Sequence, residues 1–81
     1  MEEIEVGKVY RHYKGKYYYV IDIGVHSENL EQCVIYKALY DDYKTWVRPL
    51  KEFLDPIDVN NPDNITKQKH RFERIDLNDR H

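Results

Sequence analysis

From Gly7 to Phe53 the apolar positions fall in short β-branched and aromatic runs cut by turn residues, a pattern that predicts strands. Val9-Tyr10-Arg11-His12-Tyr13 meets Lys14-Gly15-Lys16 and continues as Tyr17 to Ile23, a hairpin whose reversal sits at a residue free to take positive φ. Bulky residues occupy both parities before Asp22, so the second strand is expected to bend or bulge there, with its inward face undecided. Cys33 to Tyr40 is the clearest strand: Lys37 marks the water side, and Val34, Tyr36 and Ala38 face inward by the period-two rule. Asp41 to Lys44 turns the chain into Thr45-Trp46-Val47-Arg48, a second hairpin. Pro49 lacks an amide hydrogen and ends that strand, and Leu50, Phe53 and Leu54 share i, i+3, i+4 spacing. One helical turn over Pro49 to Leu54 would plug an end of the core.

The remaining segments are less regular. Val25 to Gln32 reads as a connecting loop with at most one helical turn, capped by Ser27 or Asn29. Ile57-Asp58-Val59 is a candidate edge strand, 60–68 a loop by composition, Arg71 to Ile75 a closing strand, and 76–81 a frayed tail.

These elements predict one domain over 1–81, mainly β: five or six mostly antiparallel strands in a strongly bent sheet that closes into a small SH3-like barrel. The compact part spans about 6–59 and the closing strand about 71–75. An OB-like barrel is the rival, but it normally carries a real helix between strands and no stretch of adequate length is present. A chain of 81 residues buries only about 60% of its unfolded surface, so the core must rest on a few large side chains. Eight tyrosines, two phenylalanines and one tryptophan supply them.

Cys33 is the single cysteine, so no intramolecular disulfide can form, and no CxxC pair or His/Cys set has the spacing of a zinc site. No metal and no cofactor is expected, and a reducing compartment, the cytoplasm, is the expected location. The acidic start Met1-Glu2-Glu3-Ile4-Glu5 is unlike a signal peptide, and no apolar run approaches the ~20 residues of a membrane span. A net charge of −2 and a pI near 6.0 disfavour non-specific duplex binding, although 67–74 forms a locally basic stretch.

His26-Ser27-Glu28 lists a base, a nucleophile and a carboxylate, but neighbouring side chains on an extended segment diverge, whereas a triad joins sequence-distant groups. Loop capping by Ser27, with His26 packed on the barrel, is the plainer reading. Likewise His12, His26 and Cys33 lack ligand spacing, and a lone thiol before Val34-Ile35 reads as a small buried hydrophobe. The aromatic surplus says more. The tyrosines and Trp46 are too many for so small an interior, so several must stand half exposed. In the plain reading Trp46, Tyr18 and Tyr36 are core and the rest suit strands. In the functional one, exposed rings beside Arg11, His12 and Arg48 form a surface for stacking a base or gripping a peptide. Arg48 shares a side with Trp46 in a regular strand; pointing out it could hold a carboxylate or phosphate, and pointing in it needs an acidic partner such as Asp22 or Glu28.

The ordered strings Tyr10-Arg11-His12-Tyr13-Lys14-Gly15-Lys16-Tyr17-Tyr18, His26-Ser27-Glu28, Val34-Ile35-Tyr36-Lys37-Ala38-Leu39-Tyr40 and Trp46-Val47-Arg48-Pro49-Leu50 with Phe53 resemble the small bacterial family catalogued as domain of unknown function 1653. Arg71-Phe72 is similar to that family's closing strand. The resemblance implies a compact SH3-like barrel and carries no activity over. Tyr19 and Val25 stand where relatives are expected to hold polar or basic residues, and 60–68 looks long for the family.

The expected function is therefore a non-catalytic binding module whose tyrosine-rich face recognises a peptide or a nucleic acid. Its candidate residues are Arg11, His12, Tyr13, His26, Ser27, Glu28, Trp46 and Arg48. The alternatives are a small enzyme or accessory subunit with a polar site at His26-Ser27-Glu28, and a structural domain that homodimerises through an exposed strand.

Overall fold

Each clear apolar run forms a strand: β1 is Val9–His12, β2 Tyr17–Val25, β3 Gln32–Ala38, β4 Thr45–Pro49 and β5 Phe72–Ile75. A one-turn helix, α1, covers Leu50–Phe53 between β4 and β5. This computed structural model describes residues 4–75, so the tail expected to fray at 76–81 lies outside the described residues.

All pairings are antiparallel, and they join the five strands into one sheet in the order β4-β3-β2-β1-β5. At the first hairpin Gly15 takes φ +103°, its amide donates to the His12 carbonyl at 2.7 Å, and His12 N donates to the Lys16 carbonyl at 2.8 Å. The expected irregularity in β2 is a bulge. Val20 faces Tyr36 but the next pair is Asp22 with Ile35, which leaves Ile21 unpaired, and the Asp22 carboxylate accepts the Ile23 amide at 2.8 Å. The bulge flips the parity of β2, which is why alternation alone could not decide its inward face.

Val34, Tyr36 and Ala38 are buried and Lys37 is exposed, as the period-two reading requires. The core gathers Tyr10, Val20, Val34, Tyr36, Phe53 and Phe72, with Ile4, Tyr18 and Leu50 packed against it. Two neighbouring strands separate β3 from β5, which puts them ~14 Å apart in a flat sheet. Yet the Tyr36 and Phe72 ring centroids are 5.4 Å apart. The sheet is therefore strongly curled, with Phe72 stacked on Phe53 at 4.0 Å in the hollow of the curl. Among the described residues no ladder links β4 to β5, so strand pairing leaves the curl open along a seam.

Two expectations need correction. Ile57-Asp58-Val59 forms no edge strand: pairing there shrinks to one bridge between Pro56 and His70, beside an Ile57 amide that donates to the Lys69 carbonyl at 2.8 Å. Pro56 has no amide hydrogen to extend a ladder, and the Asp58 carboxylate accepts the Asn60 amide at 2.9 Å, which turns the chain away. Trp46 is not core, with 47% of its surface exposed.

The loop at 60–68 is held by a small polar core of its own. Asn64 and Gln68 are almost fully buried. Asn64 Nδ2 donates to the Gln68 carbonyl at 2.8 Å and Asn64 Oδ1 accepts the Gln68 amide at 3.0 Å. The Gln68 side chain then clamps β1: Nε2 donates to the Arg11 carbonyl at 2.9 Å, and Oε1 accepts Arg11 Nε at 2.9 Å. Every buried polar atom so used has a partner, which is the condition for burying it at little cost.

Candidate binding cleft

The curl brings one inner-face residue from each of four strands, and two from β4, around a single hollow beside the seam. His12 comes from β1, Tyr18 from β2, Tyr36 from β3, Trp46 and Arg48 from β4, and Phe72 from β5, around a volume of about 170 Å³. Register explains the grouping: His12 lies opposite Phe72, Tyr36 opposite Trp46, and Val34 opposite Arg48. Trp46 and Arg48 thus share the parity of buried Val34 and Tyr36, but on an edge strand nothing closes over them.

Arg48 is fixed by its own neighbours. Its Nε donates to the Tyr36 hydroxyl at 3.2 Å, and its Nη1 lies 3.5 Å from Glu52 Oε1, one helical turn further on. Glu52, rather than Asp22 or Glu28, is the acidic partner, because Pro49 and the turn of α1 place it four residues along on the same side. At this separation and exposure the pair is weak, so the guanidinium keeps donors for another acceptor.

His12 is oriented by the hairpin. The Lys14 amide donates to His12 Nδ1 at 3.1 Å, which leaves Nε2–H as the ring's donor. Tyr13 stacks on the ring at 4.5 Å and Phe72 meets it edge-on at 4.9 Å. Burial first, and then the cations Arg71, Lys14 and Arg48, lower its pKa from 6.5 to about 4. His12 is accordingly a neutral donor in a positively charged neighbourhood.

Tyr18 and Tyr40 share a short hydroxyl–hydroxyl hydrogen bond, and Lys16 Nζ sits 4.9 Å from the Tyr40 ring centroid. Burial, with that hydrogen bond next, raises the Tyr18 pKa above the ordinary phenol value. The wall of the cleft is therefore neutral and aromatic, and the charge it presents is Arg48. None of the six lining residues is acidic.

Of the residues singled out from sequence, the cleft collects His12, Trp46 and Arg48, with Tyr13 stacked behind His12. Arg11 has the opposite parity on β1 and is occupied with Gln68. His26, Ser27 and Glu28 lie on the exposed loop between β2 and β3 and do not line the cleft. There His26, not Ser27, is the capping group: its Nδ1 accepts the amides of Glu28 at 3.1 Å and Asn29 at 3.4 Å. An imidazole can take this role because its ring reaches two amides of the same turn; the ring is thereby held by its own turn and does not pack on the sheet as expected.

Sequence reading passed over Phe72 and Glu52 as site residues. The alternation Arg71-Phe72-Glu73 and the four-residue step from Arg48 are the signals that could have found them. The most exposed tyrosines, Tyr17, Tyr19 and Tyr43, do not line the cleft, so the exposed rings are not one continuous tyrosine face. A larger hollow of about 440 Å³ lies beside β5, but several of its polar groups are engaged with one another: Arg74 with Glu5 at 3.1 Å and His70 with Glu73 at 3.5 Å.

Among the described residues no group of three or more His, Cys, Asp or Glu is placed to hold a metal ion, and no helix is long and apolar enough to cross a membrane. The model of the family described as a protein of unknown function (DUF1653) matches residues 8–74, and the chain belongs to that family. No curated protein and no solved structure matches it.

Proposed function

We propose that this DUF1653 member is a non-catalytic module that binds an extended peptide along β4, with one peptide side chain seated in the cleft beside Trp46. In this reading the sheet is an SH3-like barrel whose open seam is the recognition surface. The observation that carries the proposal is the pairing of an edge strand with an aromatic hollow on the same element. Among the described residues β4 is hydrogen-bonded to β3 on one side only, and its Trp46 and Arg48 line the hollow. Edge-strand backbone groups supply affinity in such modes, and the pocket supplies specificity. Nucleic acid is the weaker reading, because affinity for a phosphate backbone grows with the number of cations engaged, and this cleft offers Arg48 in a chain of net charge −2.

Trp46 is the only tryptophan, so its fluorescence reports directly on the cleft. Titration with random peptide pools should shift that emission saturably, and pools of single-stranded oligonucleotides should not. A saturable response to oligonucleotides alone would replace the peptide reading with the nucleic-acid one.

A further inference from the structure

Building on the peptide reading, we infer that the cleft recognises a carboxylate carried by a residue with an apolar side chain, and that Glu52, from outside the hollow, competes with that carboxylate for Arg48. The hydrogen-bond inventory of the hollow is one-sided. Arg48 Nε is spent on Tyr36, but among the described residues its terminal nitrogens are engaged only by Glu52, at 3.5 Å. The Tyr36 oxygen accepts from Arg48, which leaves the hydroxyl proton to donate, and His12 is turned so that Nε2–H is its donor. With the Trp46 indole N–H, four donor-bearing side chains therefore line one small hollow that has no acidic residue in its lining.

An anionic acceptor completes that set. One guanidinium with part of its fork already used matches the single charge of a carboxylate better than a phosphate dianion, which draws on several cations. The rings of Trp46, Tyr18 and Phe72 form the remaining walls, so the group bearing the carboxylate should be apolar. The Arg48–Glu52 separation exceeds the ~2.7–2.9 Å of a good charge-assisted bond, and both side chains are partly exposed. A ligand carboxylate that reached Arg48 at full hydrogen-bonding distance would displace Glu52 at small cost.

The test uses peptides from the pools, each made with a free C-terminal carboxylate and as the amide, and with each Asp or Glu replaced by Asn or Gln. 3-Phenylpropanoate and its amide serve as peptide-independent probes, followed by NMR at the Arg48 Nε–H and Trp46 indole signals. Removing the one carboxylate that matters should weaken binding about tenfold or more, and Arg48→Gln should do the same. Glu52→Gln should tighten binding by about two- to fivefold, since it removes the internal competitor. Acid and amide forms binding alike, or Glu52→Gln weakening the complex, would overturn the inference while leaving peptide binding intact. If 3-phenylpropanoate shifts the two signals and no peptide binds, the carboxylate cleft stands and the peptide reading falls. If neither class of probe binds, both fall.

Discussion

His12 makes the stability of this domain depend on pH. In the unfolded chain the imidazole titrates near 6.5, and in the folded one burial, then Arg71, Lys14 and Arg48, hold it near 4. Between those values the unfolded state binds more protons than the folded state, so acidification favours unfolding. The stability associated with neutral His12 is complete above pH 6.5 and is lost as the pH falls toward 4. At 1.36 kcal/mol per pKa unit the gap sets a ceiling of ~3 kcal/mol, and because the ring is only half-buried, solvent screening reduces the expected loss to about 1–2 kcal/mol.

The matching perturbation is His12→Asn. Its amide oxygen can still accept the Lys14 amide, as Nδ1 does, but the side chain does not titrate. The variant loses the stacking on Tyr13 and the edge contact with Phe72, which lowers stability by the same amount at every pH. The informative quantity is therefore the difference between the two proteins as a function of pH. Urea unfolding followed by Trp46 fluorescence, from about pH 7 down to about pH 4.5, should show that difference shrinking by about 1–2 kcal/mol. The other ionisable groups are common to both proteins and cancel. A difference that stays constant across the window would refute the claim that His12 is held neutral by its surroundings.

Two further substitutions test the packing. Phe72→Ala removes the ring that touches Phe53, Tyr18, Tyr36 and His12 together, and should cost about 3–5 kcal/mol. A core of this size rarely contributes more than that, so the expected result is loss of the cooperative thermal transition, and an unchanged transition would contradict the curled-sheet core. Gln68→Ala strips partners from the Arg11 carbonyl and Arg11 Nε and should cost about 1–3 kcal/mol in chemical denaturation. It should also speed amide exchange in 58–70 selectively; uniform loss of protection would mean that this loop is not a separately held unit.

The hairpins, the outward Lys37, the bulge near Asp22 and the helical turn after Pro49 were legible because each rests on local rules: parity, a free φ, a missing amide hydrogen. Closure was not legible. Whether β4 meets β5 depends on the accumulated curl of five strands, and a one-residue bulge in β2 changes where that curl ends. The same limit explains the site. Trp46 and Arg48 were readable as a same-side pair, yet only the position of β4 at the edge of the sheet decides that a residue with core parity stands in the open. The pinning of the 60–68 loop was hidden for another reason: Asn64 and Gln68 look like ordinary loop residues until Arg11, more than fifty positions away, supplies a partner for the Gln68 side chain.

The fold separates the groups that hold it together from the groups that line the open cleft. Phe53 stacked on Phe72 fills the hollow of the curl, so inner-face residues nearer the centre of the sheet end against that stack and are buried. β4 stands at one end of the order β4-β3-β2-β1-β5, so among the described residues no further strand covers it. Its inward side chains Trp46 and Arg48 therefore wall an open hollow at the margin of the filled region. Tyr36 stands at the boundary, with its ring in the core and its hydroxyl on Arg48. Trp46 and Arg48 can then change with little effect on folding, whereas Tyr36 cannot be altered without moving both the core and the guanidinium. A chain with room for one small core thus gains a cleft without hollowing that core, because the cleft is built from the edge strand that the core has no need to cover.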